Sequence, residues 1–275
     1  VEIRYDSTVE SIGREADGRV RVTLSDGNEV DAALLVGADG VHSRVRELAF
    51  GPEERFLRDL GYRTGAYLFD DEDVRATLDG EFDLLAVPGR TAGFYPLRGG
   101  EIGTWFAYRV DESAGRTGEV EDPCAALSRA FGDLDWVVPA ALEHCGERGV
   151  YFDRVAQVEL DEWSRGRVAL VGDAAGAVSL LAGQGSSVAM TTAYVLAREL
   201  RGPGPVETAL RRYERTMLPD VTSKQASGRR TANFFLPPTR IHLAVRNLAL
   251  NLSRLPGLGR LLEPVADAGG IPGEG

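Results

Sequence analysis

Residues 35–46 read LVGADGVHSRVR and residues 166–175 read GRVALVGDAA, and these two stretches decide the fold. In each, a short apolar run ends in glycine and aspartate and is followed by a segment with helical character. Continuous apolar runs are typical of strands buried on both faces of a parallel sheet. The sequence therefore predicts two buried strands, at Ala32 to Val36 and at Val168 to Val171, each leading into a turn and a helix.

The chain between these stretches has a different character. From about Phe56 to Leu160 it shows short strands rich in aromatic residues, interrupted by glycines and by helical patches near Ala125 and Val138. Because the strand-turn-helix pattern then returns, we predict that one domain is interrupted by another.

The two ends of the chain carry their own patterns. Apolar and polar residues alternate from Val1 to Val30 around an Asp26-Gly27 turn, which predicts an antiparallel meander. After a helix from about Ser186 to Leu200 the tail is expected to be helical. Its stretch from Ile241 to Leu252 is amphipathic; packing on the body of the protein is favoured over a membrane or partner surface.

Composition excludes some functions. With 31 basic and 42 acidic residues the formal charge is −11, which argues against a nucleic-acid partner. No apolar run is long enough for a membrane span and no secretory leader opens the chain, so a cytoplasmic location is expected. Cys124 and Cys145 form no CxxC pattern, and we predict structural, unpaired cysteines in a reducing compartment. The three histidines show no metal-ligand spacing, so no metal is predicted.

The two stretches resemble the DG and GD motifs of flavoprotein aromatic hydroxylases, the FAD-dependent monooxygenases of the para-hydroxybenzoate hydroxylase type. They occur in that family's order, about 130 residues apart, and the resemblance extends from Val1 to roughly Met217. It implies an α/β fold: an interrupted, Rossmann-like FAD-binding domain, an inserted and mostly antiparallel β-sheet substrate domain, and a helical C-terminal tail. The expected boundaries are residues 1–50 and 161–201 for the FAD-binding domain, 51–160 for the substrate domain and 202–275 for the tail.

The GD stretch implies the flavin end of the cofactor site. By resemblance, Gly172 and Asp173 bind FAD, since a carboxylate accepts strong hydrogen bonds from hydroxyl groups. The run Gly183, Gln184, Gly185, Ser186 and Ser187 would bring backbone amides at a helix N-terminus to the flavin pyrimidine edge. The alternatives are a plain helix cap at Asp173 and a flexible loop at the glycines.

The DG stretch implies a second set of cofactor residues. Family members place this aspartate near the FAD pyrophosphate and the nicotinamide path, which assigns Asp39, Gly40 and Arg44 to that region. The alternative is that Asp39 only bonds local amides in a turn.

This sequence also departs from the family. It contains no GxGxxG, so the segment that would hold the adenine half of FAD is expected to be missing upstream of Val1. Gly176 stands where the family usually has histidine, and Leu180 stands where a proline is common. Both positions weaken inferences about how the flavin is held.

The resemblance implies hydroxylation of a small aromatic or polyketide-like substrate with NAD(P)H and O2, by a monomer or homodimer. No catalytic side chain is identified. Alternatives are an FAD-dependent reductase of isoprenoid double bonds, or a flavin-free, inactive fragment. A halogenase is disfavoured because its WxWxIP segment is absent. Five aromatic residues of the middle sheet could line a substrate pocket or form plain core: Phe94, Tyr95, Trp105, Phe106 and Tyr108.

Overall fold

The computed structural model describes residues 1–14, 18–110 and 122–253. The chain forms two compact units. The first comprises Val1–Arg58 and Ala156–Gly228, and the second comprises Asp59–Val155 and Arg229–Gly275. The domain boundaries given above remain a prediction.

An antiparallel meander opens the first unit. Its strands are β1 (Val9–Arg14), β2 (Val20–Leu24) and β3 (Glu29–Ala32), in the order β1-β2-β3. Val20 and Val22 are buried, whereas Arg21 between them pairs with Asp31 at the surface. The predicted meander is confirmed, including its turn at Asp26 and Gly27.

A small parallel core lies beside the meander. Its elements are β4 (Leu35–Gly37), α1 (Arg44–Phe50), β11 (Ser164–Arg165) and β12 (Val168–Leu170). The sheet order is β11-β12-β4, and β12 pairs with β4 in parallel. Two strands that are far apart in sequence are therefore neighbours, as an interrupted domain requires.

The first predicted strand is partly wrong. The apolar run Ala32 to Val36 is shared between two strands, since Ala32 ends β3 and β4 begins only at Leu35. Val36 is 38% exposed, because β4 is the edge strand of its sheet within the described residues. The second predicted strand, β12, is buried throughout.

Helices complete the first unit. They are α5 (Asp173–Gly176), α6 (Gly185–Leu200) and most of α7 (Val206–Phe235). Helix α7 packs on the first unit through four buried residues at helical spacing: Ala209, Leu210, Tyr213 and Met217. Pro219 lies inside α7, which continues past it.

A six-stranded sheet forms the framework of the second unit. Its order is β10-β5-β9-β8-β7, with β6 also paired to β9, and its recorded pairs are antiparallel. The strands are β5 (Leu57–Ala66), β6 (Leu68–Phe69), β7 (Asp83–Val87), β8 (Arg90–Pro96), β9 (Ile102–Arg109) and β10 (Tyr151–Val158). The mostly antiparallel inserted sheet is confirmed.

Short helices cover one face of this sheet. They are α2 (Glu72–Thr77), α3 (Pro123–Phe131) and α4 (Val138–Glu143), and Leu127 and Phe131 of α3 pack in the same core as the sheet residues Phe94 and Phe106. Asp71 and Asp122 cap α2 and α3 through their side chains.

The prediction of unpaired cysteines is wrong. Cys124 of α3 and Cys145, just after α4, form a disulfide with a Cα–Cα distance of 5.7 Å. The two helices pack against each other, and this contact brings the sulfurs together. A separation of 21 residues carries no local signal for such a pair.

The C-terminal amphipathic stretch forms α8 (Arg240–Ser253), which contacts β7. Its packing is one-sided, because Ile241, Val245 and Leu248 remain at least 60% exposed. Across the described part of the chain, no helix combines the length and apolarity that a membrane crossing needs.

Candidate functional site

Both motifs lie at the carboxyl ends of adjacent parallel strands. Leu35 to Gly37 pair in register with Val168 to Leu170, and the amide of Val171 donates to the carbonyl of Gly37 at 2.9 Å. A Cβ on Gly37 would lie 2.8 Å from Leu170 Cδ2 and from Val45 Cβ, so this close approach requires glycine. Ligands of open α/β sheets bind beyond the carboxyl ends of the strands, which is where both motifs lie.

Asp173 is the candidate ligand that lacks a partner. It is the first residue of α5 and is half-buried, and no hydrogen bond to its carboxylate is found within the described residues. Burial raises the pKa of this carboxyl above its usual range. Gly172 before it has a φ of +60°, and its amide donates to Thr192 Oγ1 of α6 at 3.0 Å. A half-buried, unpaired carboxylate beside backbone turns is typical of a binding site.

The N-terminus of α6 lies beside this carboxylate. Gln184 is the N-cap residue of α6, and its side chain accepts no hydrogen bond from the helix. The first backbone hydrogen bond of the helix is the one from the Val188 amide to Gln184 O. In the described structure the amides of Gly185, Ser186 and Ser187 have no protein acceptor. A Cβ on Gly185 would lie 3.9 Å from Asp173 Oδ1. The GD aspartate and three free helix-end donors are therefore brought together.

Asp39 is instead satisfied within its own loop. Its Oδ1 accepts from Ser43 Oγ at 2.5 Å and its Oδ2 accepts from the Val45 amide at 3.0 Å. Ser43 Oγ in turn accepts from the Arg46 amide and caps α1. This arrangement matches the turn alternative, although each carboxylate oxygen keeps a second lone pair. Contact of Asp39 with FAD stays a prediction.

The other two DG residues lie nearby with different surroundings. Gly40 has a φ of +80°, and a Cβ there would meet nothing within 4 Å, so the backbone is open to close approach. Arg44 pairs with Glu47 one turn along α1, at 2.6 Å between Nη1 and Oε2. Its assignment to phosphate charge also stays a prediction.

Arg46 is a residue that sequence reasoning missed. Its side chain is fully buried and donates to Val41 O at 2.6 Å and to Ala174 O at 3.2 Å. It therefore joins the DG loop to the GD helix, and burial lowers its pKa. A signal existed, because Arg46, Ala49 and Phe50 fall at i, i+3 and i+4 on the inward face of α1.

The structure explains one of the two departures from the family, the glycine at position 176. A Cβ on Gly176 would lie 2.7 Å from Val221 Cγ1 and 3.1 Å from Trp163 Cζ2, so the packing here leaves no room for a larger residue. Leu180 lies in the 3-10 helix Leu180–Ala182 just before Gly183 and is exposed.

The aromatic residues of the inserted sheet divide by face. Phe94 and Phe106 are fully buried against α3 and α4, so they belong to the core. Tyr108 contacts Phe131 on the same side. Tyr95 and Trp105 lie on the opposite face, as the strand alternation requires.

That opposite face carries an aromatic surface formed by Phe82, Tyr95 and Trp105. The Phe82 ring centroid lies 5.6 Å from that of Tyr95 and 6.2 Å from that of Trp105. Two glycines allow these rings to pack directly against the backbone of the sheet. A Cβ on Gly93 would lie 2.6 Å from the Phe82 ring, and a Cβ on Gly103 would clash with the Tyr95 ring. Phe82 is half exposed, so planar apolar surface remains open to solvent.

The histidines have local roles. His42 bonds Glu53, His144 contacts Asp71 and Glu147 and stacks on Phe69, and His242 contacts Thr239. In residues 1–14, 18–110 and 122–253, no three His, Cys, Asp or Glu side chains are grouped as a metal site would need.

Comparison with known proteins connects this geometry to a family. A family model described as an FAD binding domain matches residues 1–219. An uncharacterised protein of Mycobacterium tuberculosis is 37% identical over 206 residues, covering 74% of this chain and 54% of that protein. A flavin-dependent monooxygenase of an unknown prokaryotic organism is 28% identical over 237 residues, covering 84% of this chain and 60% of that protein. The chain thus spans between half and two thirds of the length of these relatives.

Comparison with solved structures also matches this chain to FAD-dependent enzymes. Tetracycline destructase Tet(51) superposes with a TM-score of 0.78 at 26% identity, covering 98% of this chain and 69% of that one. Klebsiella pneumoniae HpxO, solved with FAD and uric acid, superposes with a TM-score of 0.73 at 25% identity, covering 95% and 66%. The chain therefore belongs to the FAD binding domain family, and its fold is that of the FAD-dependent monooxygenases.

Proposed function

We propose that this chain is the greater part of an FAD-dependent monooxygenase that hydroxylates a small aromatic or polyketide-like substrate, using NAD(P)H and O2. The observation that carries the proposal is the unpaired Asp173 carboxylate beside the free amides that begin α6. The relatives named as flavin-dependent monooxygenases support the same reaction class.

The residues present fit a flavin. Asp173 can accept hydrogen bonds from sugar-type hydroxyls, which would satisfy a carboxylate that burial partly removes from water. The amides of Gly185, Ser186 and Ser187 can donate to carbonyl oxygens, and the positive end of α6 favours negative charge there. When bound, FAD supplies the redox chemistry, taking electrons from a reduced nicotinamide and passing them to O2.

The protein's own part is binding, orientation and charge stabilisation. The free amides of α6 can stabilise negative charge without any side chain that titrates. In the second unit, the surface formed by Phe82, Tyr95 and Trp105 offers ring faces against which a planar substrate can stack. The proposal includes a cytoplasmic location. The Cys124–Cys145 disulfide is an observation against it, because disulfides are rare in the reducing cytosol.

Asp173→Asn tests the cofactor site. The variant loses one charged acceptor, and such hydrogen bonds contribute about 1.5–3 kcal/mol, so FAD affinity should fall about 10- to 100-fold. Fluorescence quenching on titration with FAD measures it. Asp161→Asn is the matched control, since Asp161 is an exposed carboxylate of the same unit. Equal FAD affinity in the wild-type protein and Asp173→Asn would show that Asp173 is not a cofactor ligand.

Labelled dioxygen tests the reaction itself. With NAD(P)H and a panel of phenols and polyketide-like aromatics, one atom of 18O from O2 should enter the product, as measured by mass spectrometry. A product that gains two hydrogens and no oxygen would identify a reductase instead.

A further inference from the structure

Two buried glutamines of the first unit, Gln157 and Gln225, donate their side-chain amides to backbone carbonyls. Gln157 Nε2 donates to Val178 O at 3.0 Å and to Gln225 O at 2.8 Å. Gln225 Nε2 donates to Val158 O at 2.7 Å and to Ala177 O at 3.1 Å. Gln157 is fully buried and Gln225 is 5% exposed. Each carboxamide therefore bonds both the other glutamine's strand or helix and the segment that begins at Ala177.

That segment, residues 177–182, has an unfavourable backbone. Ser179 has a φ of +93°, which a residue with a side chain rarely adopts, and it is buried. Local hydrogen bonds tighten the turn: Ser179 Oγ accepts from the Leu181 amide and Ser179 O accepts from the Ala182 amide. Such a conformation persists only where its surroundings hold it.

Helix α7 approaches this segment at one further point. A Cβ on Gly228 would lie 2.9 Å from Val178 O and 3.1 Å from Ala182 Cβ. The backbone of α7 therefore contacts the segment directly, one turn after Gln225. The segment is held by β10 through Gln157 and by α7 through Gln225 and Gly228.

The held segment leads directly into the candidate flavin site. Ala182 is followed by Gly183, at a φ of +65°, and two residues later α6 begins with its free amides. We propose that Gln157 and Gln225 are positioning residues that fix residues 177–182 and thereby set where the first amides of α6 meet the flavin. This inference rests on the proposed function.

A plain core role does not require glutamine at these positions. Two apolar residues of equal size would fill the same volume, but they would leave the carbonyls of Ala177 and Val178 without these donors. The carboxamides help to fix the direction of those two peptide units, together with the Val158 amide, which donates to Ala177 O at 3.2 Å. Orientation of the backbone is what a cofactor bound by amides needs.

The test uses Gln157→Met and Gln225→Met, which keep the volume and remove the donors. Tyr213→Phe is the matched control, because its hydroxyl makes a buried hydrogen bond from α7 to Leu170 of β12 rather than to the segment. Two quantities are measured: hydrogen exchange of the amides of Leu181, Ala182 and Gly183, which are hydrogen-bonded within the turn, and FAD affinity by fluorescence quenching. We expect the glutamine variants to show at least tenfold faster exchange there and at least tenfold weaker FAD binding, and Tyr213→Phe to change neither by that much.

Gly228→Ala perturbs the segment by a second route and should act in the same direction, should either glutamine variant fail to fold. Unchanged exchange in all three variants would overturn the positioning of the segment, and faster exchange with unchanged FAD affinity would overturn its link to the cofactor. Wild-type protein that includes the upstream segment and still binds no FAD would instead overturn the proposed function and with it that link, while the exchange data would still decide whether the glutamines hold the segment.

Discussion

Two aspartates in similar sequence positions have opposite environments. Asp39 accepts a hydroxyl and an amide of its own loop, whereas Asp173 has no protein partner in the described structure. Both follow a strand and precede a helix, so the sequence predicts cofactor contact for both, Asp173 at the flavin end and Asp39 near the pyrophosphate. The difference arises because Ser43 and Val45 fold back on Asp39, while Ala175 and Gly176 after Asp173 offer no side-chain donor.

This difference predicts that replacing Asp173 by asparagine raises the thermal stability of the protein at neutral pH, whereas replacing Asp39 lowers it. The folded-state pKa of Asp173 is raised above its ordinary value near 3.8, so the folded protein holds this proton at a pH where the unfolded chain has lost it. Ionised Asp173 therefore destabilises the fold, and the loss grows as the pH rises from 3.8 through the raised pKa. Asp173→Asn should melt at a higher temperature than wild type at pH 7, with the difference vanishing near pH 3.5.

Asp39→Asn is the matched comparison. It loses part of the cap at the start of α1, which should cost about 0.5–2 kcal/mol, so its melting temperature should fall at pH 7. Thermal unfolding from pH 3.5 to 8 measures both variants. Destabilisation by Asp173→Asn at neutral pH would mean that Asp173 has an internal partner.

The sequence predicted some elements well and others poorly, for physical reasons. The strand β12 follows from a continuous apolar run, α6 from apolar residues at helical spacing, and the inserted sheet from short segments rich in aromatic residues. The single strand predicted from Ala32 to Val36 is wrong, because an apolar run does not show that the chain passes from one sheet to another within it. Arg46 and the glutamines were missed because their roles depend on carbonyls contributed by distant segments.

The disulfide between α3 and α4 predicts a redox-dependent stability. Cross-linking residues 21 apart limits the unfolded chain, and the loop-entropy relation gives about 3 kcal/mol for a loop of this size. A phosphine reductant should therefore lower the unfolding midpoint in urea. The variant with Cys124→Ser and Cys145→Ser should have the same unfolding midpoint as the reduced protein, and the reductant should not change it. Two titratable thiols in the native protein before reduction would show that the bond does not form.

The whole chain is acidic, and within the described residues β4 is an edge strand with an exposed apolar side chain. Its pI is near 4.9, so at neutral pH its net negative charge opposes association. Within the described residues β4 pairs only with β12, and Val36 is exposed on it. Edge strands with apolar side chains pair readily with other copies.

We therefore predict that the 275-residue chain expressed by itself associates through β4. Val36→Lys should shift it toward monomer, because a charge on an edge strand blocks pairing. Val30→Lys is the control, since Val30 on β3 is equally exposed but flanked by Glu29 and Asp31. Light scattering after size exclusion measures the mass. A monomer in the wild-type chain would contradict the prediction.

The parallel pairing of β4 with β12 also governs how the chain is made. The meander β1 to β3 pairs within residues 9–32 and can form as soon as it leaves the ribosome. The pair of β4 with β12 cannot form this early, because β12 is translated only after the entire inserted sheet. At about 5–20 residues per second, synthesis of the intervening segment takes roughly 10 s, during which β4 lacks this partner. We therefore expect chaperones to contact the first unit mainly during translation, before β12 is available to pair.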